Sequence, residues 1–396
     1  MSKKIISILL CLVMLAGIAV MGTSCNKKGD DGVFRLGVIL LHDEKSTYDL
    51  NFINGILAAK EALGLSDDQV IIKKNIGETN ACYEAALDLV DAGCDVIFAD
   101  SFGHGSHMLK AAKENPKVQF CHATGADAHT AGVKNFHNAF ASIYEGRFLA
   151  GVAAGLKLNE MIEAGTITAE QAKMGYVGAF TYAEVISGYT SFYLGARYVC
   201  PSVTMDVQFT GSWYDENAER TSAEALINGG CVLISQHADS MGAPSACETA
   251  KVPNVSYNGS TAEHCPDTFI ISSRIDWAPY IKYICEQTMN GAEIATDWTG
   301  TIATNSVVLT ELGTKAPAAG TAAKLEEVKA ALQAGTLHVF DTATFKVGGQ
   351  TITSHKVDNG TVEVIQNGIF YESKAMSAPY FDLRIDGITL LNENYG

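Results

Sequence analysis

Residues 33–41 read Val-Phe-Arg-Leu-Gly-Val-Ile-Leu-Leu, a short run that is almost entirely apolar. Such a run is typical of a β-strand that is buried on both faces of a parallel sheet. A polar loop at residues 42–46 follows, and apolar side chains then recur at helical spacing at Phe52, Ile56 and Ala59. The sequence therefore predicts a strand, a loop and a helix in this order.

The same alternation of strand and helix continues to about residue 235. Short loops between alternating elements predict βαβ units, in which parallel strands form a sheet and helices cover its faces. The pattern starts afresh after about residue 140, so we predict an α/β protein with two similar lobes. The further strands are predicted at 70–72, 96–99, 118–122, 175–179, 203–209 and 232–235, and the helices at 81–92, 108–113, 142–158, 184–198 and 216–228.

Each predicted lobe is a parallel sheet flanked by helices. Lobe 1 covers residues 33–140 with a return segment at about 276–312, and lobe 2 covers 141–275 with part of the C-terminal segment. Strands near residues 135–142 and 270–276 are expected to cross between the lobes.

The last part of the chain changes in character. Residues 313–396 start with a linker of small residues and proline, and short β-branched runs between glycine-marked turns follow it. We predict that this segment is a small β-rich appendage, with strands at 342–347, 351–355 and 361–365.

The amino terminus has the features of a secretory signal. Two lysines precede an apolar run at residues 5–21, and small residues follow that run. We predict that residues 1–24 are a signal peptide, that Cys25 is lipidated, and that residues 25–32 are a polar tether. The alternative is a cysteine beside an ordinary cleavage site. Because no second apolar run of this length occurs, the protein is expected to be anchored to the cell membrane by lipid, on its extracytoplasmic side.

Charge and cysteine usage exclude several classes of function. The formal net charge is −16, which is opposite to the basic footprint that nucleic-acid binding needs. The cysteines form no C-x-x-C pair, which speaks against a zinc site or a redox motif. We therefore expect no metal, no cofactor and no nucleic-acid partner.

Four predicted loops are rich in aromatic and acidic residues. Because ligands of parallel α/β sheets bind outside the carboxyl ends of the strands, these loops are where a site is expected. They span residues 42–49, 100–107, 211–215 and 236–241. Aromatic faces can sandwich a ring, and carboxylates accept hydrogen bonds from hydroxyl groups. The loops thus favour a flat ligand that carries hydroxyls.

Seven residues of these loops are candidate ligand contacts. Each has a structural alternative: the rings could belong to the core, Asp49 and Asp215 could cap the helices that follow them, and His237 with Asp239 could shape its own loop. The candidates are Tyr48, Asp49, Phe102, Trp213, Asp215, His237 and Asp239.

Several stretches also resemble the basic membrane protein family of substrate-binding lipoproteins, whose best-understood members are purine nucleoside receptors of ABC transporters. The resemblance runs from about residue 34 to 313 and implies a two-lobed fold of the type I periplasmic-binding-protein class. The stretches that carry it are 46–49, 135–155, 175–179, 211–215 and 272–276.

The resemblance also implies roles for single residues. Tyr48 stands where the family has a phenylalanine that stacks on the base, and Trp213 takes the place of a second stacking phenylalanine. Asp43 is nearest to an aspartate that contacts the ligand. Asn258 stands where the family has an aspartate that binds ribose, and Arg274 lies next to the position of a lysine. The aromatic pair is therefore kept, whereas two polar partners differ.

The function expected from the residues and the resemblance together is that of an extracytoplasmic substrate-binding lipoprotein of an ABC importer. It would close on a small solute, a purine nucleoside first, and pass it to a permease. The alternatives are another ring-shaped solute such as a flavin, or a membrane-anchored ligand sensor. An enzyme is not expected, because the sequence contains no G-x-S-x-G motif. A nucleoside hydrolase would need a dense aspartate cluster just after the first strand, where this sequence has only Asp43 and Glu44.

Overall fold

A computed structural model describes residues 32–357, 360–393 and 395 of the 396-residue chain. The predictions of a signal peptide at 1–24 and of a lipidated Cys25 lie outside these residues, and so does nearly all of the predicted tether.

Lobe 1 is built on a six-stranded parallel sheet with the strand order β11-β5-β4-β3-β1-β2. The central strands β1 and β3 are buried at every residue, as the apolar run at residues 33–41 predicts for the first of them. The strands are β1 (Leu36–Ile39), β2 (Val70–Lys73), β3 (Val96–Ala99), β4 (Gln119–Ala123), β5 (Phe136–Ala141) and β11 (Asp297–Gly300).

Lobe 2 is built on a seven-stranded sheet with the order β12-β10-β9-β8-β6-β7-β17. All neighbours are parallel except β12, which runs antiparallel to β10. The strands are β6 (Lys173–Gly178), β7 (Thr204–Phe209), β8 (Leu233–Gln236), β9 (Asn254–Tyr257), β10 (Phe269–Ile275), β12 (Val307–Leu309) and β17 (Ile388–Leu390).

Helices cover both sheets, which confirms the predicted fold class. The first helix starts where the Ser46 side chain accepts a hydrogen bond from the Asp49 backbone N–H, and it ends at Gly64 in the left-handed conformation. The helices are α1 (Thr47–Leu63), α2 (Asn80–Asp91), α3 (Gly105–Glu114), α4 (Ala128–Ala131), α5 (Ile143–Glu163), α6 (Ala183–Val199), α7 (Glu216–Asn228), α8 (Gly242–Ala250), α9 (Ala278–Met289) and α10 (Thr321–Gln333).

Helices α5 and α6 pack closely because glycines face the partner backbone. A Cβ atom on Gly151 would lie 2.0 Å from the carbonyl oxygen of Phe192, and one on Gly195 would lie 2.0 Å from that of Phe148. No side chain fits at either position, so this glycine pair sets the distance between the two helices. Since α6 follows β6 directly, the packing also fixes where the start of α6 lies in lobe 2.

The chain crosses between the lobes three times, after β5, after β10 and after β11. Helix α9 packs on α1 of lobe 1, and β11 extends the lobe 1 sheet, whereas β12 returns to lobe 2. The return segment predicted at about 276–312 therefore divides between the lobes, with its last strand in lobe 2.

The C-terminal segment contains less β-structure than predicted. Residues 321–333 form helix α10, which buries Leu325 and Val328, and residues 342–347 and 351–355 form no strand. The chain beside the first run forms only isolated bridges, between Asp341 and Ile369 and between Val347 and Gln350. The Phe345 ring of that run packs edge-on against the Phe381 ring at 5.9 Å. The strands that form are β13 (Lys356–Val357), β14 (Val362–Glu363), β15 (Ile365–Gln366), β16 (Ile369–Phe370) and β17, which joins the lobe 2 sheet.

Candidate functional site

A cavity lies between the lobes at the carboxyl ends of the strands, and together with its solvent-open mouth it encloses about 360 Å³. The cavity has aromatic walls with a few polar groups between them. Its lining residues are Leu41, His42, Tyr48, Ser101, Phe102, Thr124, Glu184, Trp213, His237, Asp239 and Tyr257.

Tyr48 forms part of the lobe 1 wall from the first turn of α1. Its hydroxyl donates a 2.7 Å hydrogen bond to the carbonyl oxygen of Asp100. Its ring contacts the buried Phe52 ring edge-on, with the ring centroids 4.8 Å apart. Burial raises the pKa of Tyr48 well above its ordinary value, so the hydroxyl stays a donor. The packing on Phe52 and the hydrogen bond to Asp100 thus fix the orientation of the Tyr48 ring.

Trp213 forms part of the lobe 2 wall from the loop after β7. Its ring meets the Phe180 ring edge-on at 5.0 Å and lies 6.1 Å from the Tyr182 ring. Phe180 and Tyr182 stack on each other at 5.2 Å. These three rings, which we call the lobe 2 aromatic wall, come from the loops after β6 and β7.

The lobes touch each other across the cavity. The Asp239 carbonyl oxygen accepts hydrogen bonds from the Thr47 backbone N–H at 3.1 Å and from the Thr47 hydroxyl at 3.2 Å. The rings of Phe102 and Tyr182 also approach across the cleft, at 5.3 Å. The cleft is therefore closed, with helix α1 of lobe 1 bonded to the loop after β8 of lobe 2.

Two carboxyl groups from lobe 2, those of Glu184 and Asp239, line the cavity. Burial, and then the negative charge of the nearby Glu219, raises the pKa of Asp239 well above its ordinary value. Glu184 lies 3.5 Å from Nε2 of His237. Burial lowers the pKa of His237, although Glu184 acts in the opposite direction. This edge of the cavity offers hydrogen-bond acceptors to a ligand with hydroxyl or amino groups.

A buried arginine supports the His237 side of the site from behind. Arg147 donates to the Gln236 carbonyl oxygen at 2.9 Å, and its other terminal nitrogen lies 3.1 Å from Nδ1 of His237. Its guanidinium carbon lies 3.2 Å from the centre of the Tyr257 ring. Arg147 thus orients two lining residues without lining the cavity itself.

Asp49 and Asp100 form a buried carboxyl pair under the lobe 1 wall. Burial and the negative charge of Asp49 raise the pKa of Asp100 well above its ordinary value. Burial opposes ionisation of Asp49 too, but contacts with His42 and Ser46 outweigh it and lower the pKa of Asp49. The Oδ2 atoms of both residues are buried without a hydrogen-bond partner among the described residues, although Nδ1 of His42 lies 3.5 Å from Oδ2 of Asp49. The raised pKa of Asp100 favours its neutral carboxyl group, and a neutral carboxyl group can donate a hydrogen bond to Asp49.

The cavity brings together half of the residues predicted from sequence. Five of the ten line it, and they come from both lobes: Tyr48, Phe102, Trp213, His237 and Asp239. That these residues contact a ligand stays a prediction.

The other five predicted residues do not line this cavity, and each has other partners. Asp215 caps helix α7, with Oδ1 accepting from the backbone N–H groups of Asn217 and Ala218. Asp49 is fully buried in the carboxyl pair. Asp43 accepts from the Lys45 backbone N–H.

Asn258 and Arg274 lie near the crossing between the lobes. Asn258 is buried, and its backbone N–H donates to the Ser273 carbonyl oxygen. Nη1 of Arg274 donates a 3.4 Å hydrogen bond to Oδ1 of Asn51, and Nη2 of Arg274 lies 3.7 Å from Oδ2 of Asp276. The Arg274 side chain therefore contributes to the contact between the lobes, whereas the side-chain nitrogen of Asn258 is buried without a hydrogen-bond partner among the described residues.

Sequence reasoning missed Glu184 and Tyr257, which also line the cavity, and the supporting Arg147. The loop after β6 follows the same rule as the four loops that were inspected, so that rule also points to Glu184. Tyr257 ends β9, a strand that the sequence reading did not assign. Arg147 lies within the stretch 135–155 that carries the resemblance, but residue type and spacing alone do not show that this arginine is buried behind the site.

Metal binding and membrane insertion can be assessed for residues 32–357, 360–393 and 395. Those residues include no group of three or more histidine, cysteine or acidic side chains that could hold a metal ion. None of the helices described is long and apolar enough to span a membrane. The cysteines described from Cys82 onward are free and buried, as expected for small core residues.

Comparison with known proteins gives a consistent result. A sequence profile of the PnrA-like substrate-binding proteins of ABC transporters matches residues 41–333. A Haloferax volcanii protein named for glucose binding in an ABC transporter is 32% identical over 55% of this chain and 52% of its own length. A purine-binding protein of Brucella abortus is 32% identical over 56% of this chain and 58% of its own. The chain thus spans little more than half the length of these two relatives.

A nucleoside-binding ABC transporter protein of Lactococcus lactis is 26% identical over 65% of this chain and 71% of its own length. Among solved structures, a solute-binding protein from Aeropyrum pernix has a TM-score of 0.65 at 17% identity and covers 82% of this chain and 95% of its own. One from Conexibacter woesei has a TM-score of 0.63 at 17% identity and covers 77% and 98%. These structures share the two-lobed fold.

Proposed function

The chain belongs to the PnrA-like family of ABC transporter substrate-binding proteins, and from this premise we propose that it captures a flat, hydroxylated solute between its lobes for an ABC importer. A purine nucleoside is the first candidate. The protein binds and releases this solute without changing it.

One observation carries the proposal: a closed cavity has an aromatic ring from each lobe in its walls, Tyr48 from lobe 1 and Trp213 from lobe 2. A planar base gains stacking free energy from such rings, about 1–3 kcal/mol for each. Glu184 and Asp239 add acceptors for hydroxyl or amino groups at the same cavity. The names of the purine-binding and nucleoside-binding relatives support the same solute class.

Closure supplies the mechanism. A solute that contacts both walls does so only when the lobes are closed, so its binding shifts the population from open to closed forms. The three crossings between the lobes act as the hinge. The permease then recognises the closed form of the binding protein. The lobes open on the permease, and the solute is released.

A thermal-shift screen tests the solute class. A ligand of the folded protein raises the melting temperature by mass action. Adenosine, guanosine, inosine, uridine, adenine, riboflavin, ribose and glucose make a panel that separates base, sugar and flavin recognition. We expect the largest rise with a purine nucleoside. Stabilisation by glucose and ribose alone would refute the nucleoside proposal and favour a sugar receptor.

Two further experiments test the import role and the absence of catalysis. Incubation of the protein with adenosine and inosine, followed by chromatography, should return both unchanged; free base would show a hydrolase instead. In the host cell, deletion of the gene should abolish uptake of the labelled solute. Normal uptake together with a lost response to the solute would instead indicate a sensor.

Lipid anchoring at Cys25 is the last part of the proposal. The substitution Cys25→Ser removes the thiol that would carry the acyl chain. We expect this variant to leave the membrane fraction and appear in the soluble extracytoplasmic fraction. A variant that stays with the membrane would overturn the anchor.

A further inference from the structure

The end of the described chain lies against lobe 2 beside the cavity. Strand β17 pairs in parallel with β7, and the Leu391 backbone N–H continues the ladder with a 2.9 Å hydrogen bond to the Val207 carbonyl oxygen. Strand β7 ends at Phe209, four residues before Trp213. The chain after β17 therefore runs toward the loop that carries Trp213.

The Asn392 side chain forms two hydrogen bonds to the last residue of β7. Its side-chain oxygen accepts a 2.7 Å hydrogen bond from the Phe209 N–H, and its side-chain nitrogen donates a 2.9 Å bond to the Phe209 carbonyl oxygen. One amide side chain thus satisfies both backbone groups of the last residue of the strand, in place of a neighbouring strand.

Tyr395 contacts two loops of the site at once. Its carbonyl oxygen accepts hydrogen bonds from the Thr181 backbone N–H at 2.7 Å and from the Thr181 hydroxyl at 2.8 Å. Its ring covers Gly211, where an added Cβ atom would lie 2.6 Å from ring atom Cδ1. Thr181 precedes Tyr182 by one residue, and Gly211 precedes Trp213 by two.

A second anchor ties the same segment to α6. The fully buried carboxylate of Glu372 accepts a hydrogen bond from the Ser187 hydroxyl at 2.6 Å and others from the Tyr380 and Phe381 backbone N–H groups at 3.1 and 2.9 Å. Ser187 lies about one helical turn after Glu184, which lines the cavity. The segment is therefore attached to lobe 2 both behind and beside the site.

We propose that Asn392 and Tyr395 are positioning residues of the binding site, which hold the loops after β6 and β7 so that the lobe 2 aromatic wall is formed before the solute arrives. The family match ends at residue 333, so no comparison assigns this role. The loops are already joined at their base, where the Gly211 N–H donates to the Ala179 carbonyl oxygen at 2.8 Å. The two residues act farther out, next to Tyr182 and Trp213.

The effect on binding follows from preorganisation. If the loops are loose, their rings must be ordered when the solute binds, and that lost freedom weakens the affinity. The effect on affinity rests on the proposed function, whereas the order of the loops does not. Ordering two rings costs about 1–3 kcal/mol, so we expect a loss of about 5- to 150-fold in affinity.

The test compares the double variant N392A/Y395A with Asp386→Ala. Asp386 belongs to the same segment but accepts from the Gly348 and Gly349 backbone N–H groups at 2.9 and 2.8 Å, away from the cavity. Hydrogen exchange followed by mass spectrometry measures how well the backbone of the two loops is ordered in the absence of any ligand. Calorimetry with adenosine reads affinity.

The double variant keeps the Tyr395 carbonyl oxygen but loses the two side chains that hold its segment against lobe 2. We therefore expect faster exchange in peptides that cover residues 179–184 and 210–215, but not in one that covers 100–107 of lobe 1. We expect neither change in the Asp386 variant. Parental exchange in both loops would overturn the proposal, and so would faster exchange with unchanged adenosine affinity. If adenosine fails to bind the parent protein, the proposed solute class fails, and the exchange data decide the positioning role alone.

Discussion

Substitution of Trp213 by alanine is the most direct test of the cavity as a binding site. The indole would contribute about 1–3 kcal/mol if it stacks on a base. Phe180 and Tyr182 lie behind it at ring distances of 5.0 and 6.1 Å, so an apolar wall remains after the substitution. We therefore expect the lower part of this range, about 1–2 kcal/mol, which weakens binding by about 5- to 30-fold.

Calorimetry with the best ligand of the thermal-shift screen measures this loss. Trp298→Ala is the matched control, because Trp298 is also half-buried, lies on β11 beside Tyr280 at a ring distance of 4.9 Å, and does not line the cavity. The control should lose stability and keep its affinity. Parental affinity in Trp213→Ala, or an equal loss in both variants, would refute the assignment of this wall to the solute.

Three further predictions concern single contacts. Tyr48→Phe keeps the ring but removes the hydrogen bond to Asp100, so urea unfolding should show a loss of about 0.5–1.5 kcal/mol with affinity within about threefold of the parent. Asp100→Asn should melt close to the parent because burial and the charge of Asp49 raise the pKa of Asp100 and favour its neutral form, whereas Asp49→Asn loses a charge and should melt lower; the reverse order would contradict this assignment. Burial raises the pKa of Glu372 from 4.5 to about 7, so the native state binds the extra proton and stability falls as pH rises between these values, by up to about 3 kcal/mol. Glu372→Gln should remove that part of the decline in unfolding free energy measured at pH 5 and pH 8.

The lobe architecture was accessible from sequence because its signals are local. The apolar run that becomes β1 and the helical spacing of Phe52 and Ile56 in α1 each report on one element and its burial. The rule that sites lie after parallel strands then led to Tyr48 and Trp213, which line one cavity. Strand order and the exchange of segments between lobes depend on distant pairing, which no local pattern encodes.

The polar part of the site could not be predicted in the same way. Asp49 and Asp215 follow strands, as ligand contacts do, but one belongs to a buried carboxyl pair and the other caps a helix. Residue type and spacing are the same for either role, and only the surroundings decide between them. Glu372 shows the converse case, since a residue far along the chain becomes a buried partner of α6.

The contact between Thr47 and Asp239 consists of protein atoms only, so its two hydrogen bonds form each time the cleft shuts, whether or not it holds cargo. A receptor built in this way has some tendency to shut spontaneously, and a solute needs to supply only the remainder of the bias. Stronger hydrogen bonds between Thr47 and Asp239 would raise the apparent affinity for the solute. They would also raise the fraction of closed receptors that dock on the transporter without solute. Under the proposed function, this pair of residues therefore contributes to a balance between sensitivity to the solute and unproductive docking of empty receptors.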